Sequence, residues 1–194
     1  MKKSLAVLAA VATAGAAGGQ TWELEIDNPM LRPGSPATTV TASIDPGPGF
    51  EYVAAANFAV HASEGEWSDL VATTATRTPP VPGQSPGAPL GSSVTGIRVG
   101  QLSPIFGFTP EPGRIDLWSG TLTITDFSVI RDITIETQTS RFDVFITPWV
   151  GEITRETRPV TEGRAVIRSI PAPGAMTLLG VAGLAVARRR RSSV

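Results

Sequence analysis

Hydrophobic and polar residues alternate with a period of two through most of the chain. Trp22, Leu24 and Ile26 alternate with polar neighbours, and the same pattern recurs from residue 40 to residue 44. Successive side chains of a β-strand point to opposite faces, so this alternation predicts half-buried strands. Further strands are predicted at residues 67–74, 94–99, 116–125, 131–137, 141–146 and 164–170. About nine short strands predict an all-β fold, an antiparallel β-sandwich or jelly roll of one domain.

The segment from residue 50 to residue 60 fits two structures. Its apolar residues alternate as in a strand, although the alanine-rich middle would also suit a helix. A helix would place Asn57 and His61 on its apolar stripe, so we favour a strand. The alternating residues are Phe50, Tyr52, Ala54, Ala56, Phe58 and Val60.

Turns and loops are predicted where glycine, proline and small polar residues cluster. Residues 45–49 read Asp-Pro-Gly-Pro-Gly and predict a turn. Thr139 and Ser140 can close a hairpin between the strands at 131–137 and 141–146. Residues 77–91 are rich in proline and glycine, and we expect them to form a mobile loop.

The N-terminus has the order of a secretory signal peptide. Lys2 and Lys3 precede an apolar run from Leu5 to Val11, and small residues follow, with Ala14 and Ala16 in an A-x-A cleavage pattern. The apolar run is too short to span a bilayer. We therefore predict that residues 1–17 form a signal peptide, that signal peptidase and the secretion machinery are partners, and that the protein is exported.

The C-terminus combines a proline motif, an apolar stretch and a basic cluster. The motif is Pro171-Ala172-Pro173-Gly174, residues 174–187 carry no charge, and Arg188, Arg189, Arg190 and Arg191 follow. As a helix the stretch reaches about 21 Å, which snorkelling arginines can extend toward the roughly 30 Å of a bilayer core. We predict a short transmembrane helix whose arginines stay in the cytoplasm. The prolines should keep the motif extended and open to a protease.

This tail resembles the PEP-CTERM protein-sorting tail over residues 170–191. The resemblance implies that a membrane-embedded exosortase cuts near the motif and passes the body to the cell surface or extracellular matrix. Ala172 stands where the family has glutamate, so the motif is a variant. An uncut tail anchor is the alternative. The predicted units are the signal peptide, a β-sandwich body at 18–169 and the sorting tail at 170–194, with its motif at 171–173.

Charge and composition remove several classes of function. The body at residues 18–169 holds all 17 acidic residues but only ten arginines, a net charge of about −7, and the ends carry the other six positive charges. An acidic body argues against binding of nucleic acid. The chain has no cysteine and one histidine, His61, which excludes disulfides, thiolate ligands and two-histidine metal sites. We expect no cofactor or metal.

One sequence motif and the single histidine could suggest catalysis, and neither is expected to support it. Residues 83–87 match the G-x-S-x-G esterase motif, with Ser85 in the nucleophile position. The oxyanion hole of such enzymes uses the backbone N–H of the next residue, and that residue is Pro86, which has none. His61 is predicted on the strand face opposite Phe58 and Val60, where solvent would surround it.

Carboxylates and tryptophans supply the other candidates. Residues 63–69 hold three carboxylates in one turn, which could bind Ca²⁺ or simply face water. Candidate paired carboxylates are Asp116, Asp126, Asp132, Glu136 and Asp143. Their neighbours Arg114, Arg131 and Arg141 instead indicate cross-strand ion pairs on a wet face. The tryptophans, which could also stack on sugars, are predicted to anchor the core; they are Trp22, Trp67, Trp118 and Trp149.

Two functions from different classes remain. The first is a non-enzymatic exported protein of the cell surface or extracellular matrix, delivered by the sorting tail through an inner-membrane intermediate, with exopolysaccharide as a possible partner. The second is a secreted carbohydrate-binding or carbohydrate-active protein that uses paired carboxylates. We expect the first, with no enzymatic activity.

Overall fold

A computed structural model describes residues 20–45, 51–73, 83–100, 114–146 and 154–172. The signal peptide, most of the predicted turn at 45–49, Trp149 and the tail from Pro173 onward lie outside these ranges. The described residues form twelve strands: β1 (Gln20–Ile26), β2 (Met30–Leu31), β3 (Ala37–Ile44), β4 (Glu51–Ala62), β5 (Glu66–Ala72), β6 (Ser85–Leu90), β7 (Ser93–Val99), β8 (Ile115–Thr123), β9 (Arg131–Ile146), β10 (Thr154–Thr157), β11 (Val160–Thr161) and β12 (Arg164–Ser169). None of these residues forms a helix long and apolar enough to cross a membrane.

The strands form two sheets that face each other across one core. The five-stranded sheet has the order β11-β1-β3-β8-β5. The seven-stranded sheet has the order β2-β12-β9-β4-β7-β6, with β10 paired to β9. The all-β prediction is therefore confirmed. The sheets are mixed rather than purely antiparallel, because β11 runs parallel to β1 and β2 runs parallel to β12.

The core is built from the inward residues of both sheets. Val40 and Leu122 from one sheet and Val60, Ile97 and Ile133 from the other are all completely buried. Burial of one such side chain contributes about 1.5–3 kcal/mol, so this apolar layer is the main source of stability. The alternation in the sequence predicted most of these positions.

Three tryptophans of the five-stranded sheet donate their indole N–H groups to the opposite sheet. The Trp22 N–H donates to Thr139 Oγ1 at 2.8 Å. Trp67 donates to the Ser92 carbonyl at 2.8 Å, and Trp118 donates to the Pro86 carbonyl at 2.9 Å. All three side chains are buried, so their prediction as core anchors is confirmed.

Strand β9 corrects the predicted hairpin at Thr139 and Ser140. The chain continues straight through these residues as one strand of 16 residues. Asn57 pairs with Arg141 and Phe58 pairs with Thr139, which leaves Ser140 as an extra residue in a β-bulge. The bulge moves the buried positions from odd to even numbers. In the sequence this change of phase looks the same as a turn.

A second bulge corrects the predicted facing of β4. Val53 pairs with Val144 and Ala55 pairs with Asp143, so Ala54 is the extra residue. Val53 is consequently buried in the core, although the alternation predicted Ala54 there. The two bulges compensate each other, because each strand contributes one extra residue and the pairing then resumes in its first register.

Residues 85–90 are a strand rather than part of a mobile loop. Strand β6 pairs antiparallel with β7 from Ser85 to Leu90. Its two prolines argue against a strand in the sequence, but β6 is the edge strand among those described, and an edge strand tolerates proline because only one of its sides pairs. Gly87 has a φ of +85°, and a Cβ there would lie 2.7 Å from the Thr95 carbonyl oxygen. Only glycine fits this position.

The bulge at Ser140 can be tested by deletion. Deleting Ser140 should turn either residues 131–139 or residues 141–146 to the wrong face, exposing side chains such as Phe142. We expect a loss of more than about 3 kcal/mol in the free energy of unfolding, measured by urea denaturation. The control Ser140→Ala removes only a hydrogen bond to the Asn57 carbonyl at 3.1 Å and should cost about 1 kcal/mol. Equal stability of the two variants would contradict the bulge.

The cross-sheet contact of Trp22 can be tested by two substitutions. Trp22→Phe keeps an aromatic ring beside Phe58, whose centroid lies 4.4 Å from that of the indole. It removes the hydrogen bond to Thr139 and should cost about 1 kcal/mol. Trp22→Ala also removes the ring and should cost about 4 kcal/mol in thermal or urea unfolding. Similar losses for both variants would show that ring packing contributes little.

Candidate functional site

Strand β12 brings the predicted sorting motif to one edge of the seven-stranded sheet. The Ile170 N–H donates to the Leu31 carbonyl at 2.8 Å, just after the parallel pairing of β12 with β2. Pro171 is buried and Ala172 is half-buried. The predicted openness of the motif is therefore wrong at Pro171, because the sandwich continues to hold the chain beyond the last paired residue.

The other predicted sorting residues lie outside the described part of the chain. They are Ala14 and Ala16 of the signal cleavage pattern, Pro173 and Gly174 of the motif, and Arg188, Arg189, Arg190 and Arg191 of the basic cluster. Their roles stay predictions.

Each of the five candidate carboxylates lies within ion-pair distance of an arginine. The pairs are Asp116 with Arg114 at 3.7 Å, Asp126 with Arg131 at 3.1 Å, Asp132 with Arg168 at 2.8 Å, Glu136 with Arg164 at 3.3 Å and Asp143 with Arg141 at 2.8 Å. Arg114, Arg131 and Arg141 are ion-paired as predicted. The partners Asp116, Asp126 and Asp143 lie only two to five residues away along the chain, so these are not the predicted cross-strand pairs. Most of these pairs are solvent-exposed and therefore contribute little to stability.

Asp143 is the exception, since its side chain is completely buried. Its Oδ2 accepts hydrogen bonds from Arg141 Nε and Arg155 Nε, both at 2.8 Å, and its Oδ1 accepts one from Thr157 Oγ1 at 2.7 Å. Burial alone would raise the pKa of this carboxyl. The hydrogen bonds from Thr157 and Arg155, with the charges of Arg155 and Arg141, outweigh burial and hold the pKa below its usual value.

Two further carboxyls also have lowered pKa values. The backbone N–H of Ser128 donates to Asp126 and lowers its pKa, with a smaller contribution from Arg131. A hydrogen bond from Arg168 lowers the pKa of Asp132. Groups of this kind stay ionised at neutral pH, which suits ion pairs and does not suit a general acid.

Ser85 and His61 are each bonded to other partners. Ser85 Oγ accepts the Gly87 backbone N–H at 3.1 Å, and the following Pro86 carbonyl is occupied by Trp118. His61 lies on the outer face of β4, as predicted, and contacts Ser93 and Gln138 rather than Ser85. The geometry thus gives the G-x-S-x-G sequence a structural role at the edge of the sheet.

The acidic turn predicted at residues 63–69 is shorter in the structure, because strand β5 begins at Glu66. The remaining turn is tied to the body through Glu64. Its carboxylate lies 2.7 Å from Arg131 Nε, and Asp69 accepts a hydrogen bond from the Ser68 hydroxyl at 3.0 Å. Across the ranges described above, no three His, Asp or Glu side chains are grouped so as to hold a metal ion.

A groove that the sequence analysis missed opens on the outer face of the seven-stranded sheet. It lies where β4 meets β7 and β9 and has a volume of about 480 Å³. Its lining includes Asn57, Ala59, Gly96, Arg98, Gln138 and Ser140. These residues come from three strands far apart in sequence, so no local motif marks them.

Comparisons with known proteins give only loose structural resemblances. No protein-family model matches the chain, and no curated protein matches it. A cohesin module from a family 33 glycoside hydrolase of Clostridium perfringens ATCC13124 is 13% identical, with a TM-score of 0.43 over 79% of this chain and 98% of that one. The seventh ScaB type I cohesin from Pseudobacteroides cellulosolvens is 12% identical, with a TM-score of 0.49 over 80% and 95%. At this level of similarity the resemblance carries no conclusion about function.

The buried carboxylate of Asp143 generates a stability prediction. Asp143→Ala leaves Arg141, Arg155 and Thr157 without their shared acceptor, and we expect a loss of about 3 kcal/mol in the free energy of unfolding at pH 7. The control Asp132→Ala breaks an exposed pair and should cost much less. Urea denaturation measures both variants, and an equal loss would contradict the role of burial.

The lowered pKa of Asp143 predicts that the stability lost in Asp143→Ala depends on pH. The pKa of Asp143 is lower in the folded protein than its usual value of about 4 in an unfolded chain. Its stabilising contribution is therefore present above pH 4 and disappears as the pH falls through the folded-state value. We expect the difference between wild type and Asp143→Ala to narrow below about pH 4. A difference that stays constant down to pH 2 would contradict this cause.

Proposed function

We propose that this chain is an exported, non-enzymatic protein of the cell surface or extracellular matrix, delivered by a PEP-CTERM-type sorting tail. The observation that carries the proposal is the junction between body and tail. The sandwich holds the chain as far as Pro171, and the uncharged stretch begins at Gly174. A body that holds the chain up to the motif is one that cutting near the motif would release intact.

The electrostatics of the body support a non-enzymatic role. A glycosidase of the usual kind needs one carboxylic acid with a raised pKa beside a second carboxylate. The pKa values of Asp126, Asp132 and Asp143 are instead lowered by hydrogen bonds and arginine charges. Glu136 is paired with Arg164. The alternative enzymatic function receives no support from these candidate carboxylates.

In the anchored precursor that we propose, the junction between body and tail is short, which supports contact between one end of the body and the membrane. Only Pro173 separates Ala172 from the uncharged stretch. Beside this exit Arg131 pairs with Ser169, and the preceding Val129 and Ile130 are 55% and 53% exposed. Exposed apolar side chains are favourable at the boundary between headgroups and acyl chains. We infer that this end of the sandwich rests on the outer surface of the inner membrane until the tail is cut.

The burial of Pro171 restricts where cutting can occur. A peptidase needs an extended, accessible backbone around the scissile bond. Cutting N-terminal to Pro171 would require the end of β12 to separate from β2. This separation would break the hydrogen bond from the Ile170 N–H to the Leu31 carbonyl. We therefore place the cut on the C-terminal side of Pro171, so that the sandwich stays complete.

Cell fractionation with intact-mass analysis tests delivery and processing together. The full-length chain should yield a surface or extracellular product whose C-terminus lies after Pro171. Deletion of residues 173–194 should release the body as a soluble protein without surface association. Replacing Arg188–Arg191 by glutamine should weaken retention, so that uncut precursor escapes or is degraded. The matched control, deletion of Ser192–Val194, keeps the arginines and should behave as wild type.

One result replaces the proposal with its alternative. If the full-length protein keeps an intact C-terminus in the inner membrane, the tail is a plain anchor rather than a sorting signal. A product cut upstream of Pro171 would leave sorting in place but contradict the restriction by the sandwich.

A further inference from the structure

The groove exists because two strands bulge away from β4 at the same place. Ser140 is the extra residue on β9, opposite the step from Asn57 to Phe58. On the other side the register of β7 shifts between Phe58 and Val60, beside Gly96. Gly96 has a φ of +71°, and a Cβ there would meet nothing within 4 Å. Small residues at Ala59 and Gly96 thus leave open space between two displaced strands.

Arg98 lines this groove and makes no ion pair with any described residue. It lies on the outer face of β7, between the buried Ile97 and Val99, and it is exposed. The strands of the seven-stranded sheet hold five other arginines, all ion-paired: Arg131, Arg141, Arg155, Arg164 and Arg168. Among the described strand residues of this sheet, Arg98 is therefore the arginine whose guanidinium has no carboxylate partner.

Polar side chains surround Arg98 in defined positions. Asn57 pairs across the strands with Arg98 on one side and with Arg141 on the other. The Gln138 Oε1 accepts the Nε2–H of His61 at 3.0 Å, and Ser93 Oγ lies 2.8 Å from Nδ1, to which it donates in this tautomer. Because this chain of bonds uses the amide oxygen, it leaves the amide nitrogen of Gln138 to donate to a ligand in the groove.

We propose that the groove binds the sugar acids of an extracellular acidic polysaccharide, with Arg98 holding the carboxylate of one uronate residue. The planar guanidinium matches a carboxylate with two parallel hydrogen bonds. The amides of Asn57 and Gln138 and the hydroxyl of Ser140 suit the sugar hydroxyls. This inference rests on the proposed function, since it names the ligand class of a body exported to a surface or matrix.

The lining favours a sugar over an acidic peptide. Protein interfaces have an apolar centre, usually with aromatic side chains that enter the partner. Here Phe58 and Ile97 contribute to the lining but are 3% and 0% exposed, so they offer little surface to a partner. A volume of about 480 Å³ is within the range of small-ligand sites, and its exposed side chains are polar. The chemistry is therefore that of hydrogen bonds to a polyhydroxy acid.

Calorimetric titration of the purified full-length protein in mild detergent tests the site. The probes are tri-galacturonate, its methyl ester and the neutral maltotriose. The ester keeps the shape of the sugar and removes its charge. We expect tri-galacturonate to bind, and the two uncharged sugars to bind at least about tenfold more weakly.

Substitutions connect the binding to Arg98. Arg98→Ala should weaken the binding of tri-galacturonate about tenfold or more, and Arg98→Lys should weaken it less, because lysine keeps the charge without the planar fork. Arg32→Ala is the matched control. Arg32 is another exposed arginine without an ion-pair partner among the described residues, and it lies beyond β2 at the far edge of the sheet. Its substitution should leave binding unchanged.

Several results would overturn the proposal. They are no binding of tri-galacturonate, equal binding of its ester, or unchanged binding by Arg98→Ala with a wild-type urea midpoint. A hexaglutamate peptide that binds more tightly than tri-galacturonate through Arg98 would assign the groove to a protein partner instead. The titration does not depend on where cells deliver the chain, so its failure is distinguishable from the failure of sorting. If the protein binds the sugar acid but its tail is not cut, the proposal about the groove stands and only the proposal about sorting fails.

Discussion

The rest of the structure depends on the way the two sheets are joined through three buried indole rings. Trp22, Trp67 and Trp118 all belong to the five-stranded sheet, and each donates its N–H to an acceptor in or beside a strand of the other sheet. Apolar packing brings the sheets together but is non-directional. A buried N–H must find an acceptor at one position, so these bonds set how one sheet lies over the other. The acceptors span β9, β6 and the turn before β7.

The contact of Trp22 extends into a polar cluster at the edge of the core. Thr139 accepts the indole N–H and donates to Glu162 Oε2 at 3.0 Å, and Glu162 also accepts the Thr139 backbone N–H at 2.7 Å. Next to it a Cβ on Gly163 would lie 2.9 Å from the Trp22 carbonyl oxygen. The turn leading to β12 is therefore fixed against Trp22. Strand β12 then brings Pro171 to the edge of the seven-stranded sheet. The packing around Trp22 is therefore connected through β12 to the segment that precedes the predicted tail.

Local charge and overall charge have different consequences in this protein. The body is acidic as a whole, yet each of the five candidate carboxylates forms an ion pair with an arginine, some on the same strand and some on a neighbouring one. Asp143 shows the limit of this arrangement, because it is fully buried and is kept ionised by Arg141, Arg155 and Thr157. Arg98 shows the opposite case, a cation that no described carboxylate neutralises. The groove around it arises from bulges that the strands need for their buried residues, so the packing of the core also shapes the outer surface.

The sequence alone determined the all-β class, the buried tryptophans and the ion pairs, because side-chain period and charge spacing are local properties. It also predicts the order of signal, body and tail, and this order stays a prediction. It failed at residues 139–140, where a change of phase predicted a hairpin, since a bulge and a turn shift the alternation alike until the partner strand is known. It missed β6, whose prolines are tolerated only at an edge. The groove was decided by tertiary structure alone, because Asn57, Arg98 and Gln138 meet only when β4 pairs with β7 and β9.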